Sequence, residues 1–162
     1  MKVTRREYVT ALVILFVSSA LGCAAVPPCK EVLVNSKGFR LVEIRTEQID
    51  NIPVRVGQFE ITNTHSASFV LHGWMRKSGF LVEYPTSWIQ LKRDRWEDVV
   101  PMIGSFLSVG DEKLELSTGQ KRIVLARVDF GVPAGRHEAR IGIRTASGVC
   151  LFSSPFSLDV SK

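Results

Sequence analysis

The sequence predicts an all-β fold, a β-sandwich of about seven to eight short strands that follows an N-terminal export segment. Three observations predict it. Apolar and polar residues alternate in short runs through 31–162, the pattern of strands that bury one face. Clusters of Gly, Pro, Asn, Asp and Ser separate those runs at regular intervals. No long stretch of the domain carries the period of an amphipathic helix, and Pro101 and Gly104 allow one short turn at most between Glu97 and Phe106.

The strands follow in order. Val32 and Val34, then Phe39 and Leu41, mark a single opening strand region. Val54 and Val56, then Phe59 and Ile61, read as a strand whose apolar phase shifts at Gly57, and an isolated glycine there predicts a bulge. Asn63–Thr64–His65–Ser66 is a turn of short polar side chains. Phe69 and Leu71 alternate with Val70 and His72 in a strand that runs to Met75. Lys77–Ser78–Gly79 turns the chain into 80–84, and Pro85 ends that run because proline offers no N–H to a ladder. Segments 88–92 and 96–99 form a hairpin around the charged tip Arg93–Asp94–Arg95. Leu114 and Leu116 precede the turn Ser117–Thr118–Gly119–Gln120, and Ile123 and Leu125 open the next strand, with Val124 and Val128 in the opposite phase. After the turn Val132–Pro133–Ala134–Gly135, Ala139, Ile141 and Ile143 share one face of a strand, and Arg140, Gly142 and Arg144 share the other. Ala146–Ser147–Gly148 reverses the chain into 149–152, and 156–160 closes it after Ser154–Pro155.

The first residues have the parts of an export signal. Lys2, Arg5 and Arg6 are cationic, Val9 to Leu21 is uncharged and apolar, and small residues surround Cys23. The apolar run is shorter than the roughly 20 residues of a spanning helix. Ala20–Leu21–Gly22–Cys23 resembles the lipobox of bacterial lipoproteins. Leu21 and Gly22 fit that pattern, and Ala20 stands where leucine is commonest in the family. The resemblance implies a diacylglyceryl group on the Cys23 thiol and cleavage that leaves Cys23 as the first mature residue. The small-x-small pattern Ala20–Leu21–Gly22 also suits an ordinary signal peptidase, which would release a secreted protein. Thr4–Arg5–Arg6–Glu7–Tyr8–Val9 resembles a twin-arginine signal, while the strongly apolar run behind it favours export of the unfolded chain. The expected organisation is a signal over 1–22, a lipidated tether over 23–30 and the sandwich over 31–162. The membrane, reached through lipid on Cys23, is then one partner, with the domain facing periplasm or exterior.

Assigning Cys23 to lipid leaves Cys29 and Cys150 as an even pair in a compartment where disulfides persist. A bond between them would tie the tether to the last hairpin. The alternative is a buried thiol at Cys150 and an exposed one at Cys29.

Composition excludes some classes. Hydrophobic residues make up 45% of the chain, too many for a disordered one. Of the formal net charge of +5, Lys2, Arg5, Arg6 and Glu7 supply +2, which leaves a mildly basic domain of +3. No run of Lys and Arg is long enough to track a phosphate backbone, so nucleic acid is not an expected partner.

Two stretches carry a fold resemblance. Leu114–Glu115–Leu116–Ser117–Thr118–Gly119–Gln120 and Val132–Pro133–Ala134–Gly135–Arg136–His137–Glu138–Ala139–Arg140–Ile141, with Ser154–Pro155–Phe156–Ser157–Leu158, resemble the closing strands of immunoglobulin-like domains in bacterial envelope proteins. The resemblance implies an immunoglobulin-like sandwich serving binding, spacing or inhibition. The cysteine pair that joins the two sheets of antibody domains is absent from this pattern.

Chemistry is sparse. His65, His72 and His137 have no metal-ligand spacing, and no cofactor motif, nucleophile elbow or phosphate loop is present, so neither metal nor cofactor is expected. The candidate binding patch is His72, Trp74, Arg76, Trp88, Lys92, Arg93, Arg95 and Trp96, because Trp and Arg are the usual anchors of binding surfaces. Against it, one Trp of a sandwich is normally core, and Arg at a hairpin tip is ordinarily solvated or meets lipid phosphates. The sequence therefore points to a non-catalytic envelope module that engages an envelope protein or polysaccharide. A protease-inhibitor module with a protruding loop near Pro85–Thr86 or Glu97–Gly104 and an envelope hydrolase are the alternatives.

Overall fold

The computed structural model describes residues 28–34, 38–100 and 110–161. The residues read as an export signal, with Cys23, and residues 101–104 of the Glu97–Gly104 region lie outside them. The described chain is all-β, with twelve strands in two stacked sheets. The first sheet runs in the order β1 (Glu31–Val34), β11 (Val149–Phe152), β10 (Gly135–Arg144), β6 (Ser87–Lys92) and β7 (Trp96–Val99), with β12 (Phe156–Val160) also on β10. The second runs β2 (Phe39–Ile49), β3 (Ile52–Thr62), β9 (Lys121–Arg127), β5 (Gly79–Val82), β4 (Phe69–Arg76) and β8 (Glu112–Leu116).

The core lies between the sheets. Phe39, Phe59, Ile61, Leu71, Phe80, Val82, Val124 and Ala126 face Ile89, Leu91, Ala139, Ile141, Ile143, Leu151 and Leu158. The period-2 alternation read from the sequence supplies both inner faces. The strand count exceeds the expected seven to eight. The opening region divides, because Glu31–Val34 joins the first sheet and Phe39 starts the second. β11 and β12 are one strand broken at Ser154–Pro155. Ser153 bridges the break: its N–H donates to the Ile141 carbonyl at 2.9 Å, and its Oγ accepts from the Ile141 N–H at 3.0 Å.

The long hairpin β2–β3 corrects the reading at Gly57. β3 is continuous there, and the register slips instead in β2, between Leu41 and Glu43. Gly57 faces the core, where a Cβ would stand 2.5 Å from the Phe59 ring. The apolar phase shifts because Val54 and Val56 point to the outer face, opposite Phe59 and Ile61. Both valines are nevertheless buried, as are Leu81 and Leu125, which alternate with the core residues of β5 and β9. A second apolar layer therefore lies outside the second sheet. The hairpin supplies it by curling over that face. Ser78 Oγ donates to Glu47 Oε2 at 2.9 Å, although β3 and β9 separate β2 from β5. In a flat sheet those strands would be roughly 14 Å apart. At the hairpin tip, Asp50 and Asn51 have φ of 52° and 64°, the two-residue turn with positive φ at both centres that matches strand twist.

Cys29 and Cys150 are disulfide-bonded, with Cα atoms 5.6 Å apart. β1 pairs in parallel with β11, and the Lys30 N–H donates to the Gly148 carbonyl at 2.9 Å. The bond lies within the first sheet, beside Tyr84, Trp88 and Phe152. It closes a loop of 121 residues, for which chain entropy in the unfolded state sets a scale of about 4–5 kcal/mol. Cys150→Ser, or reduction of the wild type, is expected to lower stability by about 2–5 kcal/mol in urea titrations. An unchanged midpoint under reductant would show that the bond contributes nothing.

Candidate functional site

The eight residues of the sequence-predicted patch do not form one surface. His72, Trp74 and Arg76 alternate outward from β4 in the second sheet, while Leu71 is in the core. Trp88 and Lys92 alternate outward from β6 in the first sheet, with Ile89 and Leu91 in the core. Trp96 pairs with Lys92, and Arg93 and Arg95 lie exposed at the tip between them. The sandwich core stands between the two groups.

The group on the first sheet is a built lattice. Trp88 is 4% exposed, and its Nε1–H donates to Asp98 Oδ1 at 2.9 Å. Gln90 Nε2 donates to the same oxygen at 2.6 Å, and Arg140 Nε donates to Gln90 Oε1 at 2.7 Å. The Arg140 guanidinium lies 4.4 Å from the Trp96 ring centre and 4.3 Å from that of Phe152. Burial lowers the Arg140 pKa from its ordinary value, and the Asp98 carboxylate opposes that shift. Gly142 makes room for the Trp88 indole, since a Cβ would meet it at 2.5 Å. Trp88 and Trp96 thus hold the outer face of β6, β7 and β10 together. Lys92 adds a weaker contact to Trp96 at 5.6 Å, and Arg93 makes an exposed ion pair with Glu97.

The second sheet carries an open cleft of about 690 Å³. The curled hairpin forms one wall, with Ile49, Asp50, Ile52 and Val54. The ends of β4 and β8 form the other, with Trp74, Met75, Arg76 and Glu112, and Glu83 and Arg127 complete the lining. Ile52 and Met75 are 61% and 59% exposed. Trp74 is half-buried and sits across from Leu81 on the outer face. The Glu112 carboxylate accepts a hydrogen bond from the Met75 N–H. Nε of both Arg76 and Arg127 is buried without a hydrogen-bond partner. Burial raises the Glu83 pKa above its ordinary value, and the nearby positive charges of Arg127 and Arg76 partly offset that rise.

The sequence found Trp74 and Arg76 of this cleft and missed the rest. Ile49–Asp50–Asn51–Ile52 carried a usable signal, two Asx residues between apolar neighbours. Glu83, Glu112 and Arg127 carried none, because only the sheet order brings them together. Elsewhere, the His65 ring packs on Phe69 and His137 Nε2 lies 2.9 Å from the Pro133 carbonyl. Among the described residues no group of three or more His, Cys, Asp or Glu side chains is placed to hold a metal. Thr86 is buried, so Pro85–Thr86 does not form the protruding loop that an inhibitor needs. Comparisons with protein-family models, curated proteins and solved structures find no match.

Two outcomes follow from this geometry. Gly142→Ala drives a methyl into Trp88 and Phe152, and overpacking of that kind costs about 1–3 kcal/mol in thermal or urea unfolding. Folding also takes up a proton at Glu83 between the ordinary value of 4.5 and the raised folded value. Stability contributed there is full below 4.5 and is lost as pH rises through the folded pKa. Melting curves across that range should show a decline that Glu83→Gln removes. Parallel curves for the two proteins would contradict it.

Proposed function

We propose that this chain is an exported lipoprotein, held at a membrane by diacylglyceryl on Cys23. Its sandwich is a non-catalytic binding module for an envelope protein or polysaccharide. The cleft on the second sheet is the observation that carries the binding part. Its described lining joins an aromatic and several aliphatic side chains to opposed charges, the mixture of apolar surface and a few polar groups found in ligand sites.

Two further features support the reading. The Cys29–Cys150 bond suits an oxidising compartment. The tether joins the domain at Cys29, at the β10–β11 end of the first sheet. The Arg93–Arg95 tip lies beyond the opposite end of β10, since Leu91 pairs with Ala139 and Cys150 with Arg144. In this reading the basic tip points away from the anchoring membrane, because it lies at the end of the sheet opposite the Cys29 attachment.

Cells grown in labelled palmitate should label the wild type and not Cys23→Ser, and the mature protein should begin at Cys23. An unlabelled wild type would reduce the reading to a secreted sandwich. Crosslinking in intact membranes should trap a partner of the wild type, and Ile52→Arg should lower its yield by about tenfold. Equal yield from that variant would remove the cleft from the reading.

A further inference from the structure

We propose that the cleft on the second sheet is a saccharide site, which takes a neutral, polyhydroxylated ring against Trp74. This rests on the reading of the domain as a binding module and names its ligand class. The cleft, at about 690 Å³, is within the range of roughly 300–1,000 Å³ typical of small-molecule sites.

The lining selects the ligand by its chemistry. A lipid chain or apolar segment would cover Asp50, Glu83, Arg76 and Arg127 without giving them hydrogen bonds. A polyanion would meet three carboxylates, Asp50, Glu83 and Glu112, against two guanidiniums. A polycation would meet Arg76 and Arg127. An extended peptide needs a free strand edge; β4 pairs with β8 over Phe69–Gly73 and with β5 over Trp74–Arg76, and beyond the end of the β8 pairing the Glu112 carboxylate already accepts from the Met75 N–H. β3 runs past its pairing with β9 at Ile52–Val54, and Pro53 interrupts that stretch with no N–H to donate.

A sugar hydroxyl is both donor and acceptor. It can accept from Arg76 or Arg127 and donate to Glu83 or Asp50, so opposed charges side by side suit a neutral polyol. The C–H face of a sugar ring is apolar and fits the Trp74 indole, flanked by exposed Ile52 and Met75. The site is also clear of the tether. The Val70 carbonyl accepts from the Ala146 N–H in the turn beside Cys150, and Trp74 to Arg76 lie four to six residues further along β4. At strand rise that is about 13–20 Å.

The test uses the full chain in a detergent without sugar head groups. It is applied to an array of neutral glucose, mannose and N-acetylglucosamine oligosaccharides beside uronic-acid and sulfated ones. Neutral oligosaccharides should be retained. Affinity for them should fall about tenfold or more in Trp74→Ala and in Ile52→Asp, and stay unchanged in Trp96→Ala on the opposite face. Ile52 is exposed, so its variant keeps the test open if Trp74→Ala does not fold. Absence of neutral-sugar binding, retention of acidic sugars alone, or binding indifferent to both cleft variants would overturn the proposal. Ile52-dependent crosslinking to a protein, without sugar binding, would overturn it and leave the binding-module reading standing. Failure of both assays would remove both.

Discussion

A single strand has two faces, and β3 buries both of them. Phe59 and Ile61 point into the space between the sheets, while Val54 and Val56 point outward and are buried as well. That double use requires the β2–β3 hairpin to bend over its own sheet. The slip between Leu41 and Glu43 gives the bend extra twist and resets the facing of β2, so that Arg45 and Glu47 share the side of Val56 and Val54. Leu81 and Leu125, on the outward phase of β5 and β9, are fully buried beneath this layer. Each leucine covered in this way is worth about 1.5–3 kcal/mol relative to exposure. The cleft is the remaining space, where the hairpin tip stands away from Trp74 and Met75.

The first sheet solves its outer face differently. Among the described residues no second apolar layer of strands covers it, and large side chains lie across it and satisfy one another. Asp98 accepts from Trp88 and Gln90, Gln90 accepts from Arg140, and Arg140 stacks between Trp96 and Phe152. Trp88 Nε1, both amide atoms of Gln90 and Arg140 Nε each have a partner in this series, and satisfied polar groups of this kind stabilise rather than penalise. The same side chains that signal binding when exposed are here fully engaged with each other.

Alternation and turn chemistry made much of the fold legible. The β6–β7 hairpin around Arg93–Asp94–Arg95, the faces of β10, and the reversal at Ala146–Ser147–Gly148 were all readable. Where alternation was read as describing a single buried face, it misled. The changeover at Gly57 looked like a fault in the strand because Val54 and Val56 were assigned to the same core as Phe59. Val32 and Phe39 looked like one region because sequence proximity says nothing about which sheet a strand joins. The site was half legible for the same reason. Trp74 and Arg76 stood out by residue type, but Trp88 and Trp96 stood out equally, and their separation onto opposite faces is a property of topology.

The two outer faces differ in a way that bears on function. On the first sheet the aromatic rings are occupied by intramolecular cations, and removing those contacts to admit a ligand would cost the lattice its hydrogen bonds. On the second, the covering layer stops short. Ile52 and Met75 are exposed at the cleft rim, and Trp74 is half-buried between the walls. A ligand there adds contacts without displacing any that hold the sandwich together. Both cleft walls stand on paired strands, β2–β3 on one side and β4 with β5 and β8 on the other, so little ordering cost falls on the protein at binding. The disulfide adds to this from a distance. It fixes the segment that leads into β1 to β11, so a pull on that segment is delivered to the first sheet and not to the hairpin that shapes the cleft.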